Sequence, residues 1–129
     1  MNKNKELKVL IVDDDDMMRA FLRIMLREAK VEDIDEAGTA AKASKFIIKN
    51  KFNLIFLDIN LPDIDGVEFI SNIKQKLPDT SIIMISGEAT TERVKQAMQA
   101  GAKDFIAKPF NAAIVESKVK QLVNELSKQ

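Results

Sequence analysis

The stretch VLIVDDDDMMR, residues 9–19, places four apolar residues directly before four aspartates. The continuous run of Val, Leu and Ile is typical of a strand that is buried on both of its faces. Four adjacent carboxylates repel one another, and an apolar, helix-like segment follows them. Such a run either caps the following helix and suits its dipole or marks a site where a cation compensates the negative charge.

The chain has 129 residues, which fits a single domain over residues 1–129 with a core of about 8–126. Lys plus Arg and Asp plus Glu both number 20, so the net charge is zero. This balance argues against direct binding of nucleic acid, which depends on neutralising phosphates. The charged N-terminus is followed by too short an apolar run for a signal peptide or a membrane span. We therefore expect a soluble, cytoplasmic protein with no membrane contact.

The absence of two residue types narrows the possible chemistry. The sequence has no cysteine, so it holds no disulfide and no thiolate metal site. It also has no histidine, which excludes an imidazole base, a histidine metal ligand and a Ser-His-Asp triad. Any chemistry must use carboxylates, lysine, hydroxyl groups and the main chain.

Five short apolar runs alternate with helix-length segments in which apolar residues recur at a spacing near 3.6. The runs are VLIV (9–12), VEDIDEA (31–37), NLIFL (53–57), SIIMI (81–85) and DFIA (104–107). The predicted core faces of the five helices are Met18, Phe21, Leu22 and Met25; Ala40, Ala43, Phe46 and Ile47; Val67, Ile70 and Ile73; Val94, Ala97 and Met98; and Val115, Val119, Leu122 and Leu126. The alternation predicts an α/β fold, a flavodoxin-like (βα)5 doubly wound parallel sheet of order 2-1-3-4-5 in a single domain.

Residues at the predicted helix ends agree with this assignment. Asp16 is predicted to cap the first helix, with Asp15 as a peripheral charge, and Thr39 to cap the second. Gly101 lies just past the fourth helix, where a left-handed backbone is favoured. The fifth helix is expected to end near Ser127.

In an open parallel sheet, ligands bind beyond the carboxyl ends of the strands, near the switch point between strands 1 and 3. The residues at those ends are Asp13 and Asp14 after the first strand, Asp58 after the third, Ser86 and Gly87 after the fourth, and Lys108 and Pro109 after the fifth. Oxygen ligands without His or Cys suit Mg²⁺. A divalent ion beside a lysine and a hydroxyl would bind phosphate, and a carboxylate there could form an acyl phosphate.

Four longer pieces contain these residues: VDD (12–14), LDINLPDIDG (57–66), MISGEA (84–89) and GAKDFIAKPF (101–110). With these pieces in this order, the chain resembles the receiver domain of two-component response regulators, the CheY-like family. The resemblance extends from about residue 8 to residue 126 and implies a phosphoacceptor signalling switch rather than a conventional enzyme. Such a domain catalyses only its own phosphorylation and dephosphorylation.

The resemblance implies a role for each residue of the phosphorylation site. Asp58 would accept the phosphoryl group, and Lys108 would pair with it. Asp14 would bind Mg²⁺ directly, Asp13 would act through bound water, and Asn60 would supply a main-chain carbonyl.

The resemblance also implies the parts of a conformational switch. Ser86 matches the hydroxyl that moves to the phosphoryl group, and Phe105 matches the aromatic that then turns inward. Gly87 stands where a small residue leaves room for phosphate, and Pro109 would follow a cis peptide bond.

The implied partners are a sensor histidine kinase or a histidine phosphotransfer protein as donor. The output would be a downstream protein or a second copy of the domain, bound through the fourth helix, fifth strand and fifth helix. Whether the protein acts alone or is one domain of a longer chain stays open.

A second apolar set on the first helix, Met17, Phe21 and Ile24, has two explanations. It either docks the phosphodonor or belongs to a wide core stripe, and the sequence leaves both open.

Three other functions remain to be weighed. A pseudo-receiver would bind partners without being phosphorylated. A phosphatase of the haloacid-dehalogenase type would use Asp13 as nucleophile and Asp15 as acid/base, but it needs an acidic motif after the lysine, and no Asp follows Asp104. A flavin carrier of this fold would need a Ser/Thr/Gly-rich phosphate loop where this chain has four aspartates.

Overall fold

The computed structural model describes residues 3–126, which form a five-stranded sheet flanked by five helices. After a short 3₁₀ turn at Lys3–Glu6, the strands are β1 (Lys8–Val12), β2 (Asp33–Ala37), β3 (Leu54–Asp58), β4 (Ser81–Ser86) and β5 (Asp104–Ala107). The helices are α1 (Asp16–Glu28), α2 (Ala40–Lys49), α3 (Gly66–Lys76), α4 (Thr91–Ala100) and α5 (Ala112–Leu126). These elements follow the predicted alternation, and β5 has the predicted bounds.

All neighbouring strands are parallel, and their order is β2-β1-β3-β4-β5, as predicted. Because β1 pairs with both β2 and β3, the chain leaves β1 in one direction and later returns on its other side. This reversal produces a crevice at the carboxyl ends of β1 and β3. Two buried clusters cover the sheet, one with α2, α3 and α4 and the other with α1 and α5. None of the helices within residues 3–126 is long and apolar enough to cross a bilayer.

The cap of α1 corrects a prediction. Asp15, not Asp16, has the extended backbone of an N-cap, and its Oδ1 accepts hydrogen bonds from the N–H groups of Met17 at 2.9 Å and Met18 at 3.4 Å. Asp16 is instead the first helical residue and forms an ion pair with Arg19. In a run of four aspartates each residue is a chemically acceptable cap, so only the backbone path decides between them. The predicted cap at Thr39 and the left-handed Gly101, with φ of 121°, are confirmed.

Two predicted core positions are wrong. Phe21 on α1 is exposed, because α1 faces the sheet with Leu22 and Leu26. Met98 on α4 is 43% exposed, and Ala97 is the buried residue of that helix. In both helices the predicted apolar stripe covers a wider arc than the helix buries against the sheet. In α5 the predicted face is buried at Val115, Val119 and Leu122 and partly buried at Leu126, and the expected end near Ser127 lies outside the described residues.

Gly66→Ala is expected to lower the free energy of unfolding by about 2–3 kcal/mol, because the new methyl group would overlap backbone atoms. Gly66 donates its N–H to the Ile59 carbonyl at 3.0 Å, and a Cβ there would lie 2.5 Å from both Cα and O of Ile59. Urea denaturation would measure the loss. Gly87→Ala is the control, since its Cβ would meet only the Lys108 Cβ at 4.0 Å, and it should stay within about 0.5 kcal/mol. Equal stability of the two variants would contradict this account of the turn.

Candidate phosphorylation site

The carboxyl edge of the sheet brings together residues from four strand ends. Asp13 follows β1, Asp58 ends β3, Ser86 ends β4 and Lys108 follows β5. Asp13, Asp58 and Ser86 are buried, whereas Asp14 is exposed at the mouth of the crevice. Residues up to 95 positions apart in sequence therefore meet at one site.

A cluster of three carboxylates and one ammonium forms the centre of this site. One carboxylate oxygen from each of Asp13, Asp14 and Asp58 lies within 4.8 Å of the others. Lys108 Nζ lies 2.9 Å from Asp58 Oδ2 and 3.1 Å from Asp13 Oδ2, so it donates to both buried carboxylates. Lys108 is in turn tied to β4, because its N–H donates to the Ser86 carbonyl at 2.9 Å.

The charges of the cluster are perturbed in opposite ways. Burial raises the pKa of the Asp13 carboxyl; the Asp15 N–H at 2.9 Å partly opposes this, and the negative charge of Asp58 adds to it. Burial alone would lower the pKa of Lys108, but its hydrogen bonds to Asp58 and Asp13 outweigh that effect and the pKa is raised. Lys108 thus stays an ammonium and only partly compensates the three carboxylates.

The donor set fits a hard divalent cation. The acidic cluster offers only oxygen ligands, and its ionised form carries two more negative charges than the single ammonium neutralises. Exposed Asp14 leaves the cluster open to solvent, and Mg²⁺ keeps several of its waters when bound. Asp58 is oriented by the Asn60 N–H, which donates to Asp58 Oδ1 at 2.9 Å.

The other predicted residues lie around this centre. The buried Ser86 Oγ accepts a hydrogen bond from the Glu88 N–H at 3.0 Å. Phe105 on β5 is 37% exposed. The Lys108–Pro109 peptide bond is cis, as predicted, and a Cβ at Gly87 would meet only the Lys108 Cβ, at 4.0 Å.

A family model described as the response regulator receiver domain matches residues 9–120. The chain belongs to this family. It is 33% identical over 125 residues to chemotaxis protein CheY-3 of Vibrio cholerae, a match that covers 95% of this chain and 96% of the relative. It is 38% identical over 106 residues to CheY of Listeria monocytogenes, covering 82% and 89% of the two chains. The crystal structure of a CheY-like receiver domain from Methanospirillum hungatei superposes with a TM-score of 0.88 at 32% identity, covering 95% of this chain and 98% of that one.

As a member of this family, the protein is a response regulator receiver of two-component signalling. Receivers are regulatory phosphoacceptors, supplied with phosphate by histidine kinases or phosphotransfer proteins, and they generally bind Mg²⁺ at an acidic pocket. The acidic cluster of this receiver is consistent with that chemistry.

Three supporting residues of the receiver were missed by sequence reasoning. Both carboxylate oxygens of Asp63 accept hydrogen bonds from the first turn of α2, each at 3.0 Å, and these bonds lower the pKa of Asp63. Asp65 caps α3 and accepts a hydrogen bond from Arg93 of α4 at 2.8 Å, which lowers its pKa. Asp65 precedes an amphipathic helix and could have been recognised as a cap. The Asp63 and Arg93 contacts join elements distant in sequence and leave no local signal.

Proposed function

We propose that Asp58 accepts a phosphoryl group, in a Mg²⁺-dependent step, from a phosphohistidine on a sensor histidine kinase or a histidine phosphotransfer protein. The observation that carries the proposal is the position of Lys108, whose ammonium joins Asp58 to Asp13 beside the exposed Asp14. This geometry provides a carboxylate nucleophile next to a permanent positive charge, as phosphoryl transfer requires.

The transfer forms one bond and breaks one bond. An Asp58 carboxylate oxygen attacks phosphorus, the P–N bond to the donor histidine breaks, and its electron pair returns to the imidazole nitrogen. Lys108, whose raised pKa keeps it charged, then pairs with a phosphoryl oxygen.

Asp14 and Asp58 would hold Mg²⁺ directly, together with the main-chain carbonyl of Asn60, and Asp13 would act through bound water. When bound, the ion supplies neutralisation of the charge on the phosphoryl oxygens.

The switch uses the hydroxyl of Ser86 and the ring of Phe105. In the structure Ser86 Oγ is held by the Glu88 N–H, and Phe105 is partly exposed. Phosphorylation of Asp58 draws Ser86 Oγ towards the phosphoryl group, and Phe105 turns inward into the space that this movement leaves. The site thereby biases α4, β5 and α5 between two states.

The surface of α4, β5 and α5 is the proposed output of the receiver. It exposes three large apolar side chains, Met98 on α4, Phe105 on β5 and Ile114 on α5, together with the ion pair between Lys118 and Asp104. An apolar centre with a charged border suits a protein partner, either a downstream target or a second copy of the domain. We propose a cytoplasmic location, with no direct contact to nucleic acid or membrane.

Incubation with acetyl phosphate, with and without Mg²⁺, tests the proposed reaction by intact mass. We expect one phosphoryl adduct that forms with Mg²⁺ and not with EDTA. Beryllofluoride with Mg²⁺ should shift the backbone NMR signals of α4 and β5, and Ser86→Ala should weaken that shift. A protein that binds Mg²⁺ but forms no adduct and shows no beryllofluoride-induced shift would contradict the proposal and favour a pseudo-receiver.

We further propose that the second apolar set of α1 docks the phosphodonor. Met17, Phe21 and Ile24 are all exposed, so they do not form a wide core stripe. They lie on the helix that starts beside Asp13 and Asp14, near the phosphorylation site. An exposed apolar set of this kind marks a protein contact.

Ile24→Asp is expected to slow phosphotransfer from the cognate donor about tenfold or more. The substitution replaces an apolar side chain, which the docked donor would bury, with a charge. Uptake from acetyl phosphate, which needs no docking, should not change. Ile48→Asp is the matched control: Ile48 is 76% exposed, against 55% for Ile24, and lies on α2 across the sheet. Unchanged transfer to Ile24→Asp would remove the docking assignment.

A further inference from the structure

Arg19 on α1 contacts the main chain of the turn that carries Asp13 and Asp14, whereas Lys108 contacts the Asp13 carboxylate. The Arg19 side chain is only 16% exposed. Side chains on a helix point back towards its N-terminus, so the guanidinium lies over the turn between β1 and α1. Nη1 donates to the main-chain carbonyl of Asp13 at 2.6 Å.

Two further contacts fix this guanidinium in place. Nε donates to Glu36 Oε1 on β2 at 3.3 Å, and Nη2 forms an ion pair with Asp16. Gly38 leaves the space beside it, since a Cβ at that position would lie 3.3 Å from Nη1. Arg19 therefore joins both ends of the turn, at Asp13 and Asp16, to the edge strand.

The contact with Arg19 is one of four hydrogen bonds that hold Asp13 in place. β1 pairs with β2 up to Val12 and Ala37, and Asp13 follows this last pair. The Asp13 N–H still donates to the Ala37 carbonyl at 3.1 Å, and the carbonyl accepts from Arg19. The two carboxylate oxygens accept from the Asp15 N–H and from Lys108. Arg19 thus completes the set of contacts that orients a buried carboxylate.

We infer that Arg19 is a positioning residue for the proposed metal site, acting through the main chain of Asp13. This inference rests on the proposed Mg²⁺-dependent function. Residues that orient metal ligands typically account for 10- to 100-fold in metal affinity. Electrostatics alone predicts the opposite change in metal affinity, because removing a positive charge near a cation site should tighten cation binding.

Arg23 provides a matched control on the same helix. It also pairs with Glu36, at 2.6 Å, and donates to the Ile34 carbonyl at 3.0 Å, and its side chain is 32% exposed. It shares the link between α1 and β2, but its described contacts are with Glu36 and Ile34 rather than with the turn. A purely structural role for Arg19 would therefore give the two arginines similar effects.

Mg²⁺ titration followed by backbone NMR tests the inference on wild type, Arg19→Lys, Arg19→Ala and Arg23→Ala, with thermal unfolding of each metal-free protein. Lysine keeps the charge but cannot reach three anchors with one planar group. We expect both Arg19 variants to bind Mg²⁺ about 10- to 100-fold more weakly, and Arg23→Ala to bind like wild type even if it unfolds at a lower temperature. Arg19→Lys covers the case in which Arg19→Ala fails to fold.

Wild-type affinity in Arg19→Lys, or equal weakening in Arg23→Ala, would overturn the inference while leaving the proposed function intact. Failure of the wild-type protein to bind Mg²⁺ would overturn the proposed function and the inference with it.

Discussion

Asp58→Asn is expected to take up no phosphoryl group from acetyl phosphate or from a phosphohistidine donor. An amide oxygen is a poor nucleophile, and Lys108 Nζ lies closer to Asp58, at 2.9 Å, than to Asp13, at 3.1 Å. The variant should still fold, because Lys108 keeps Asp13 as a partner and the cluster loses one of three mutually repelling charges. Intact mass with Mg²⁺ present measures uptake, and circular dichroism checks the fold.

Asp79→Asn is the control for this substitution. Asp79 is exposed and precedes β4, so it lies at the opposite edge of the sheet from Asp58. It should form the adduct like wild type. A folded Asp58→Asn protein that still forms a Mg²⁺-dependent adduct would exclude Asp58 as the acceptor.

Lys108→Met is expected to slow phosphoryl uptake by roughly 10²–10³-fold, the usual effect of losing one charged group that stabilises a transition state. Methionine has a similar length and removes only the ammonium that joins Asp58 to Asp13. Mg²⁺ should bind at least as tightly as in wild type, because the site loses a positive charge. The rate of phosphoryl uptake should therefore fall without any loss of metal affinity. Acetyl phosphate kinetics and Mg²⁺ titration on the same samples measure the two quantities.

Lys103→Met is the matched control for Lys108→Met. Lys103 forms an ion pair with Glu125 and precedes β5, at the edge of the sheet away from the acidic cluster. It should change neither the rate nor the metal affinity. A Lys108→Met protein that retains the wild-type rate would contradict the proposed role of the ammonium.

The sequence predicted the sheet because its signals are local and redundant. Three strands, β1, β3 and β4, are continuous apolar runs, and VLIV and DFIA lie at the predicted positions in β1 and β5. Once the strand order was set, the convergence of Asp13, Asp58 and Lys108 followed from topology alone, since all follow or end parallel strands. The convergence of these three residues was thus predictable without any side-chain contact being known.

The remaining features depend on backbone path and long-range contacts. The backbone dihedral angles decide whether Asp15 or Asp16 is the cap, and a run of identical side chains gives no sign of those angles. The exposure of Met98 depends on how α4 is rotated against the sheet. The link from Arg93 to Asp65 spans 28 residues between elements that meet only in the folded chain. Supporting contacts of this kind form only in the folded chain, whereas strand ends can be located in the sequence.

Locating the phosphoryl group on the chain is the most direct test of the central claim that Asp58 is the acceptor. The protein would be phosphorylated with acetyl phosphate and Mg²⁺ and reduced with borohydride, which converts an aspartyl phosphate to homoserine, and its peptides would be mapped by mass. Homoserine at position 58 is the predicted result. Homoserine at position 13 would contradict the receiver mechanism and favour a phosphatase that uses Asp13, and its absence from every peptide would favour a receiver that is never phosphorylated.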